Sequence, residues 1–570
     1  MKEFVLRFAV TLCIIISGQA LNAQEKQSSR FHPGETFSPL LFSANTSELR
    51  SASGKPAPGY WQNRADYRID VKLDTSLARI EGMAMIHYIN NSPDKLEFLW
   101  LNLDQNFRKK NSRDAAARFS MYTNEGDLFS NGVIIDTIFV QFNNKTYTPS
   151  YIVNDTRLQL RLPFSLPARG GKIDVHIKYS FDIVPTKIGS KMGITETRSG
   201  KIFQIAQWYP RMAVYDDLEG WNISPYIYGS EFYLDYGDID FNITVPANMI
   251  VTASGELLNK TEVLSGELIK KLKSAELSDS TIIITRPSMK LANNPGKFKT
   301  WKFRCINARD VAWAASAAFI WDAARINLPG GKKAVAMSFY PEECSEVWQR
   351  STSMIKYSVE LFSVYLNYPY TYPTAGNVAG MINGMEYPGI VFCNKEMGAE
   401  DLFSLVAHEF GHNWFPIIVG SNEKKYAWMD EGLTRFFEKL AVSEYGNKKP
   451  KQDSISSWEI RTLFNNNDNV NGGLMNWPSI SSDSYNKTAM GLSLLRNVIL
   501  GSDRFQYAMQ QYVNNWAFKH PSPYDFFNSI SDAAGEDLDW FWRSLFFNDW
   551  KLDQEVYSIE YTDTTDYSKG

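Results

Sequence analysis

The sequence predicts a multi-domain α+β protein in which a large N-terminal antiparallel β domain precedes a mainly helical domain. Three observations support this fold class: alternating hydrophobicity in the first half, helical hydrophobic spacing in the second, and a length of 570 residues, which suits several domains. An apolar fraction of 44% and a charged fraction of 21% are ordinary for a folded chain. Extensive disorder is therefore not expected.

The β domain is predicted from strands that alternate apolar and polar residues. Residues 67–74, 173–181 and 301–305 show this alternation, which marks half-buried strands because successive side chains point to opposite faces. We expect one β-rich domain over residues 58–325. The more polar residues 256–296 form an inserted excursion within it.

The helical domain is predicted from apolar residues at a spacing of three or four. The expected helices cover residues 347–366, 402–415, 431–445, 484–500, 504–516 and 538–547. Pro369 follows the first of them, Gly446 is a plausible cap of the third, and residues 465–473 form a polar loop. The second domain is therefore expected over residues 326–550, with residues 551–570 as a tail.

The N-terminus has the pattern of a secretory signal. Lys2 and Arg7 precede an apolar stretch from Phe8 to Ser17, which ends before Ala23. This stretch is too short to span a bilayer stably, although an uncleaved anchor is the alternative. We expect residues 1–23 to be removed and residues 24–57 to form an irregular leader. The mature protein would be exported, periplasmic or extracellular, with no stable membrane span.

Charge and cysteine content exclude two classes of protein. The net charge is −4, so no basic excess is available for a phosphate backbone, and nucleic acid is not an expected partner. Cys13 lies in the signal, which leaves Cys305, Cys344 and Cys393. Three scattered cysteines form neither a disulfide framework nor a cysteine-ligated zinc site. One disulfide among them remains possible.

Residues 408–412 read His-Glu-Phe-Gly-His and carry the chemistry. On a helix, positions i and i+4 share a face, so His408 and His412 can bind one metal ion. Zinc suits imidazole ligands and leaves a position for water in a catalytic site. Glu409 lies beside the ligands, where it can reach that water.

A third ligand is expected at Glu431. It follows His412 after 18 intervening residues and lies in the first turn of the next predicted helix, which an antiparallel arrangement would bring beside the histidines. The alternative reading is a solvated carboxylate at the positive end of a helix dipole.

This pattern resembles the aminopeptidase N and leukotriene-hydrolase family of zinc metallopeptidases, the gluzincins. Residues 383–387, Asn-Gly-Met-Glu-Tyr, are similar to the family's Gly-Ala-Met-Glu-Asn strand. Residues 485–489, Tyr-Asn-Lys-Thr-Ala, are similar to its Tyr-Glu-Lys-Gly-Ala helix, and residues 207–211 are a weaker match. The resemblance covers about residues 58–550. It implies a saddle-like β domain, a thermolysin-like catalytic domain and one zinc ion.

The resemblance also implies roles for individual residues. Glu386 would hold the free amino group of a peptide, with a lesser contribution from Gln204. Gly384 and Met385 would line the extended strand along which the substrate lies. Tyr485 would donate its hydroxyl to the oxyanion.

Four departures from the family pattern concern the substrate cleft. Tyr387 replaces the usual Asn, Asn383 replaces the first Gly, and Asp430 stands where Asn is common; all three affect the shape of the first subsite. The chain ends at Gly570, so the large helical C-terminal domain of many relatives is expected to be absent and the cleft more open.

The expected reaction is hydrolysis of the first bond of peptides with a free N-terminus. Zinc activates water and polarises the carbonyl, Glu409 acts as general base, and Tyr485 stabilises the oxyanion. A thermolysin-like endopeptidase is the first alternative, although it would not need Glu386. A non-catalytic peptide-binding protein would be expected to lack Glu409 or a ligand, and hydrolysis of a lipid epoxide has nothing specific in its favour. The sequence does not determine the preferred N-terminal residue or the oligomeric state.

Overall fold

The computed structural model describes residues 47–117, 129–186, 190–227, 231–287, 296–445 and 482–547. The signal, most of the leader, the Gly446 cap, the polar loop and the C-terminal tail that the sequence predicts lie outside the described residues. Within those residues, no helix combines the length and apolarity needed to cross a membrane.

The N-terminal region contains nineteen of the described strands. They are β1 Arg64–Asp74, β2 Arg79–Asn90, β3 Leu96–Asn102, β4 Ile134–Phe142, β5 Lys145–Tyr147, β6 Ser150–Asn154, β7 Arg157–Leu166, β8 Gly171–Asp182, β9 Gly193–Thr197, β10 Gly200–Ile205, β11 Arg211–Met212, β12 Tyr215–Asp216, β13 Gly220–Trp221, β14 Gly237–Pro246, β15 Ile250–Ala253, β16 Glu256–Leu257, β17 Ile282–Thr285, β18 Phe298–Ala308 and β19 Trp313–Ser316.

The largest sheet has eight strands in the order β16-β18-β14-β1-β2-β8-β4-β5. Its strands alternate buried and exposed residues as predicted, so Ile69 and Val71 are buried whereas Arg68 and Asp70 are not. All its pairs are antiparallel except β1 with β14, which run parallel with Tyr67 opposite Ile239. Smaller sheets have the orders β15-β19-β10-β9, β11-β3-β7-β6 and β12-β13.

A six-stranded sheet joins the two halves of the chain. Its further strands are β20 Ile320–Asn327, β21 Lys333–Tyr340, β22 Thr374–Gly380, β23 Met385–Tyr387 and β24 Ile390–Asn394. The order is β17-β20-β21-β22-β24-β23, with β23 at one edge. The boundary expected at residue 325 therefore falls inside β20, a fully paired strand.

Helices are few before residue 340 and dominate the described chain after it. Those described are α1 Arg113–Ala117, α2 Lys260–Val263, α3 Gly266–Ala275, α4 Ser345–Trp348, α5 Ser351–Tyr365, α6 Ala399–Gly411, α7 Leu433–Glu444, α8 Ser482–Leu494, α9 Ser502–Trp516, α10 Pro523–Ala534 and α11 Asp539–Trp542. Wide π turns cover Asn413–Ile418, Trp428–Gly432, Leu495–Ile499 and Arg543–Phe547, and 3₁₀ turns cover Asp104–Arg108, Pro329–Gly331 and Glu342–Cys344. The predicted order of a sheet-rich region followed by a helical region is confirmed, and α2 and α3 lie in the predicted excursion. The helix α10 is an addition to the prediction.

The end of the predicted leader is folded against both halves. Arg50 is 1% exposed, and its Nε lies 2.7 Å from Asp217, in the turn between β12 and β13. Its Nη1 is paired with Asp525 of α10. Its guanidinium lies 5.3 Å from the ring centroid of Trp516 on α9. Residues 47–57 thus form a strap that connects the β-rich region to the last helices.

The three cysteines of the described residues are all free, so none of the possible disulfides forms. Cys305 and Cys393 are fully buried on β18 and β24.

Candidate active site

The sequence motif places three donor atoms together between two helices. His408 lies in the last turn of α6 and His412 caps it. Glu431 lies in the π turn that leads into α7. Gly432 permits this approach to α8, because a Cβ there would lie 2.4 Å from the Cβ of Thr488.

The distances between the three donors fit a tetrahedral zinc ion. His408 Nε2 lies 3.2 Å from Glu431 Oε2 and 3.1 Å from His412 Nε2, and His412 Nε2 lies 3.4 Å from Glu431 Oε2. Zinc bonds of 2.0–2.1 Å in a tetrahedron imply ligand separations of about 3.3 Å. Two further groups in the described residues could hold a cation, but they contain one histidine or none.

The other nitrogen of each histidine faces oxygen acceptors. His408 Nδ1 lies 3.1 Å from Glu438 Oε2. His412 Nδ1 lies 2.9 Å from the Phe415 carbonyl and 2.7 Å from Asp430 Oδ1. These acceptors keep the proton on Nδ1, so each Nε2 can offer a lone pair to a metal.

Two carboxyl groups next to the histidines, those of Glu438 and Glu431, are held in the ionised form. Burial opposes ionisation of Glu438, but hydrogen bonding with His408 and the charge of Arg435 lower its pKa to about 2. Burial also opposes ionisation of Glu431, but the adjacent His408 and His412 outweigh burial and lower its pKa well below the usual value. An anionic Glu431 is the form that a zinc ligand requires.

Glu409 lies beside the donors without being one of them. It is 3% exposed, and its Oε2 has no hydrogen-bond partner among the described residues. Burial raises its pKa to about 8, and the charges of Glu386 and Glu431 contribute to this rise. Its other oxygen borders Gly384, which has a φ of +152° and where a Cβ would lie 2.4 Å from Glu409 Oε1.

Tyr485 and the β23 strand complete the same cavity, which has a volume of about 560 Å³. Burial and the charge of Glu431 raise the pKa of Tyr485, and its ring lies 5.8 Å from that of His408. Gly384, Met385 and Glu386 line the cavity. Burial raises the pKa of Glu386 to about 7, and the charges of Glu231 and Glu431 act in the same direction.

The structure adds residues that the sequence analysis missed. Glu231 and Lys191 line the cavity beside Glu386 and form an ion pair. They come from loops of the β-rich region, where no local pattern marks them. Glu438 could have been found, because it lies seven residues after Glu431 on the same helical face.

Gln204 is not among the residues that line this cavity. It is fully buried on β10, and its Nε2 donates to the Val378 carbonyl of β22 at 3.3 Å. The nearby Gln207 instead donates to the hydroxyl of Tyr387. Gln204 instead packs against β22, where a Cβ on Gly380 would lie 1.7 Å from its Oε1.

Comparisons with known proteins relate this chain to peptidases. Residues 351–545 match the peptidase family M1 domain. Aminopeptidase A of Gloydius brevicauda is 24% identical over 212 residues, which are 33% of this chain and 22% of that protein. Glutamyl aminopeptidase of Rattus norvegicus is 28% identical over 146 residues, which are 24% and 15% of the two chains.

The fold resembles that of a solved aminopeptidase. The structure of Legionella pneumophila aminopeptidase A in complex with aspartic acid superposes with a TM-score of 0.56 at 13% identity. The match covers 85% of this chain and 49% of that one. This chain thus spans about half of the solved structure, and the aligned segments span between 15% and 23% of the first curated relatives.

The three His-His-Glu donors lie in the helical part of the chain, within the segment that the family model matches. The match of residues 351–545 to the peptidase family M1 domain confirms the family resemblance predicted from the sequence.

Proposed function

We propose that the protein is an exported zinc aminopeptidase that removes the N-terminal residue of peptides. The carrying observation is that one cavity holds the donors His408, His412 and Glu431 together with the carboxylate of Glu386. The relatives named aminopeptidase support the same activity. Export is proposed from the signal pattern of residues 1–23 alone.

Glu386 is proposed to bind the substrate ammonium. Its carboxylate lies within 4.8 Å of those of Glu231 and Glu423. Lys191 pairs with Glu231 and Arg309 with Glu423, so the unbalanced negative charge of this cluster is that of Glu386. A substrate ammonium would balance that charge, whereas an acylated N-terminus would not.

The strand β23 is proposed to align the peptide. It is the edge strand of the six-stranded sheet, and it lines the cavity through Met385 and Glu386. An extended peptide can pair with such an edge through main-chain hydrogen bonds. This pairing would hold the first peptide bond next to the donors.

The remaining groups are proposed to act on that bond. A zinc ion held by His408, His412 and Glu431 would supply Lewis acidity for the attacking water and the carbonyl. Glu409 accepts the proton of the water and passes it to the leaving amine. Tyr485 donates its hydroxyl to the oxygen on which negative charge develops.

The test is cleavage of a ten-residue peptide in free and N-acetylated forms, followed by mass spectrometry, with and without a chelator. We expect stepwise loss of residues from the free amino end, little cleavage of the acetylated form, and loss of activity after metal removal. Internal cuts as first products, or equal cleavage of both forms, would contradict the proposal.

A further inference from the structure

The cavity has two ends that lie beside different histidines. Glu386 belongs to the end beside His412, because its carboxylate lies within 4.8 Å of the ligand atoms of His412 and Asp430. In the proposed function, this end holds the substrate ammonium. The part of the peptide beyond the cleaved bond must therefore extend toward the other end.

The other end lies beside His408 and between α6 and α7. His408 Nδ1 contacts Glu438 Oε2, and the Ser404 hydroxyl donates to Glu438 Oε1. Arg435 Nη1 lies 2.5 Å from that same oxygen. Arg435 and Ser404 both line the cavity. The cationic group at this end is therefore the guanidinium of Arg435.

The distance from the donors to this end corresponds to between one and two substrate residues, which is the reach of the residue after the cleaved bond together with its carboxylate. Ser404 precedes His408 by one helical turn, which is about 5–6 Å along α6. An extended peptide advances about 3.3–3.6 Å per residue. The residue that follows the cleaved bond is thus the one that reaches Ser404 and Arg435.

Arg435 has donors available for a substrate anion. Its ion pair with Glu438 uses Nη1, whereas a guanidinium has five N–H donors. Its side chain is 37% exposed and lines the cavity, and its buried Nε has no hydrogen-bond partner among the described residues. Asp401 lines the same end nearly one turn further out and would repel a carboxylate placed beyond this position.

We propose that Arg435 selects peptides that carry a carboxylate on the residue immediately after the cleaved bond. This carboxylate is either the free α-carboxylate of a dipeptide or an acidic side chain. The inference rests on the proposed aminopeptidase function and adds a substrate class to it. A guanidinium recognises either source through the same paired hydrogen bonds.

A purely positioning role for Arg435 makes a different prediction. Arg435 also contacts Glu438, which in turn contacts His408. If that were its whole function, replacing Arg435 would reduce the hydrolysis of all substrates by the same factor. Selectivity between charged and neutral substrates separates the two roles.

The experiment measures kcat/KM for two matched pairs of substrates. Alanyl-alanine and its amide test the α-carboxylate, and the α-amides of alanyl-glutamate and alanyl-glutamine test the side chain. The variants are Arg435→Gln, Arg435→Lys and the matched control Arg504→Gln, which changes a surface arginine on α9 that is paired with Glu536.

We expect the wild type to prefer the charged member of at least one pair by about five- to tenfold, mainly through KM. The preference should fall to about one in Arg435→Gln and should be largely kept in Arg435→Lys and Arg504→Gln. A wild-type preference near one, or an equal preference in Arg435→Gln, would overturn the inference. If the wild type hydrolyses the neutral members and shows no preference for the charged ones, only this inference is overturned. If the wild type hydrolyses none of the four peptides, the aminopeptidase proposal is overturned as well.

Discussion

At the scale of single residues, the surroundings of Glu409 are those of a proton acceptor rather than of a ligand. A buried carboxylate oxygen without a hydrogen-bond partner is costly unless a ligand or water uses it. Glu409 is also outside the three donors that lie within 4.8 Å of one another. Its role and that of the ligands can therefore be separated by experiment.

We predict that Glu409→Gln lowers kcat by about 10²–10⁴-fold and leaves the zinc content near one ion per chain. The amide cannot accept the proton of water, whereas the donors are unaffected. Turnover of an alanyl fluorophore and metal analysis measure the two quantities. A near-normal rate with zinc retained would remove Glu409 from the mechanism.

Glu438 supports the metal site through His408. We predict that Glu438→Gln weakens zinc affinity by about 10–100-fold, because the ionised acceptor of the His408 Nδ1 proton is lost. Chelator competition measures the affinity. The control is Glu444→Gln, an exposed residue at the end of the same helix. Equal affinity in both variants would show that Glu438 does not support the ligand.

Residue-level prediction succeeds where spacing along one helix defines a site. His408 and His412 are one turn apart, and Glu431 begins the next helix, so local geometry brings the donors together. Lys191 and Glu231 reach the cavity from loops of the β-rich region, and only tertiary packing places them there. Gln204 shows the converse, since a motif-like position in a strand says nothing about which face its side chain occupies.

At the scale of elements, the contact between the π turn Trp428–Gly432 and α8 positions Tyr485. A Cβ on Gly432 would meet the side chain of Thr488, three residues from Tyr485 on the same helix. The absence of a side chain at residue 432 therefore sets the separation of Glu431 and Tyr485.

We predict that Gly432→Ala costs about 1–3 kcal/mol of stability through overpacking and lowers kcat, because Tyr485 is displaced. The control is Gly266→Ala at the start of α3, where an added Cβ meets no atom within 4 Å. Thermal unfolding and kcat are measured for both variants. A stable and fully active Gly432→Ala would show that α8 adjusts without moving Tyr485.

Elements with a regular hydrophobic period were predictable, and one capped helix was missed. The strands β1, β8 and β18 and the helices α5, α6, α7, α8 and α9 lie close to their predicted positions. The helix α10 was missed, although Ser522 and Asp525 form a capping box around Pro523, a start signal that is visible in sequence. The pairing of β17 with β20 could not be predicted, because period-two patterns do not specify partners.

At the scale of the whole molecule, the strap of residues 47–57 contributes to the joining of the two halves. Arg50 forms buried ion pairs with Asp217 of the β-rich region and with Asp525 of α10. The Trp516 indole and the Ser529 hydroxyl also donate to the Gly54 carbonyl, at 2.6 and 2.8 Å. Removing the cation would leave two carboxylates buried without their partner.

We predict that Arg50→Gln destabilises the protein by about 3–5 kcal/mol and exposes α9 and α10 to limited proteolysis. The control is Arg79→Gln, which removes a half-exposed ion pair with Asp182. Thermal unfolding and the proteolytic pattern are compared. Equal unfolding midpoints in the two variants would show that the strap does not stabilise this junction.

The six-stranded sheet also combines strands that are synthesised far apart in time. Its strands begin at residue 282 and end at residue 394, so the edge strand that carries Glu386 depends on residues translated about a hundred positions earlier. A polypeptide that began at residue 351 would lack β17, β20 and β21, and β22 would lose one of its two parallel neighbours. The segment that matches the peptidase family is therefore shorter than the unit that can fold. The sheet that carries Glu386 also needs the strands β17, β20 and β21, which precede that segment.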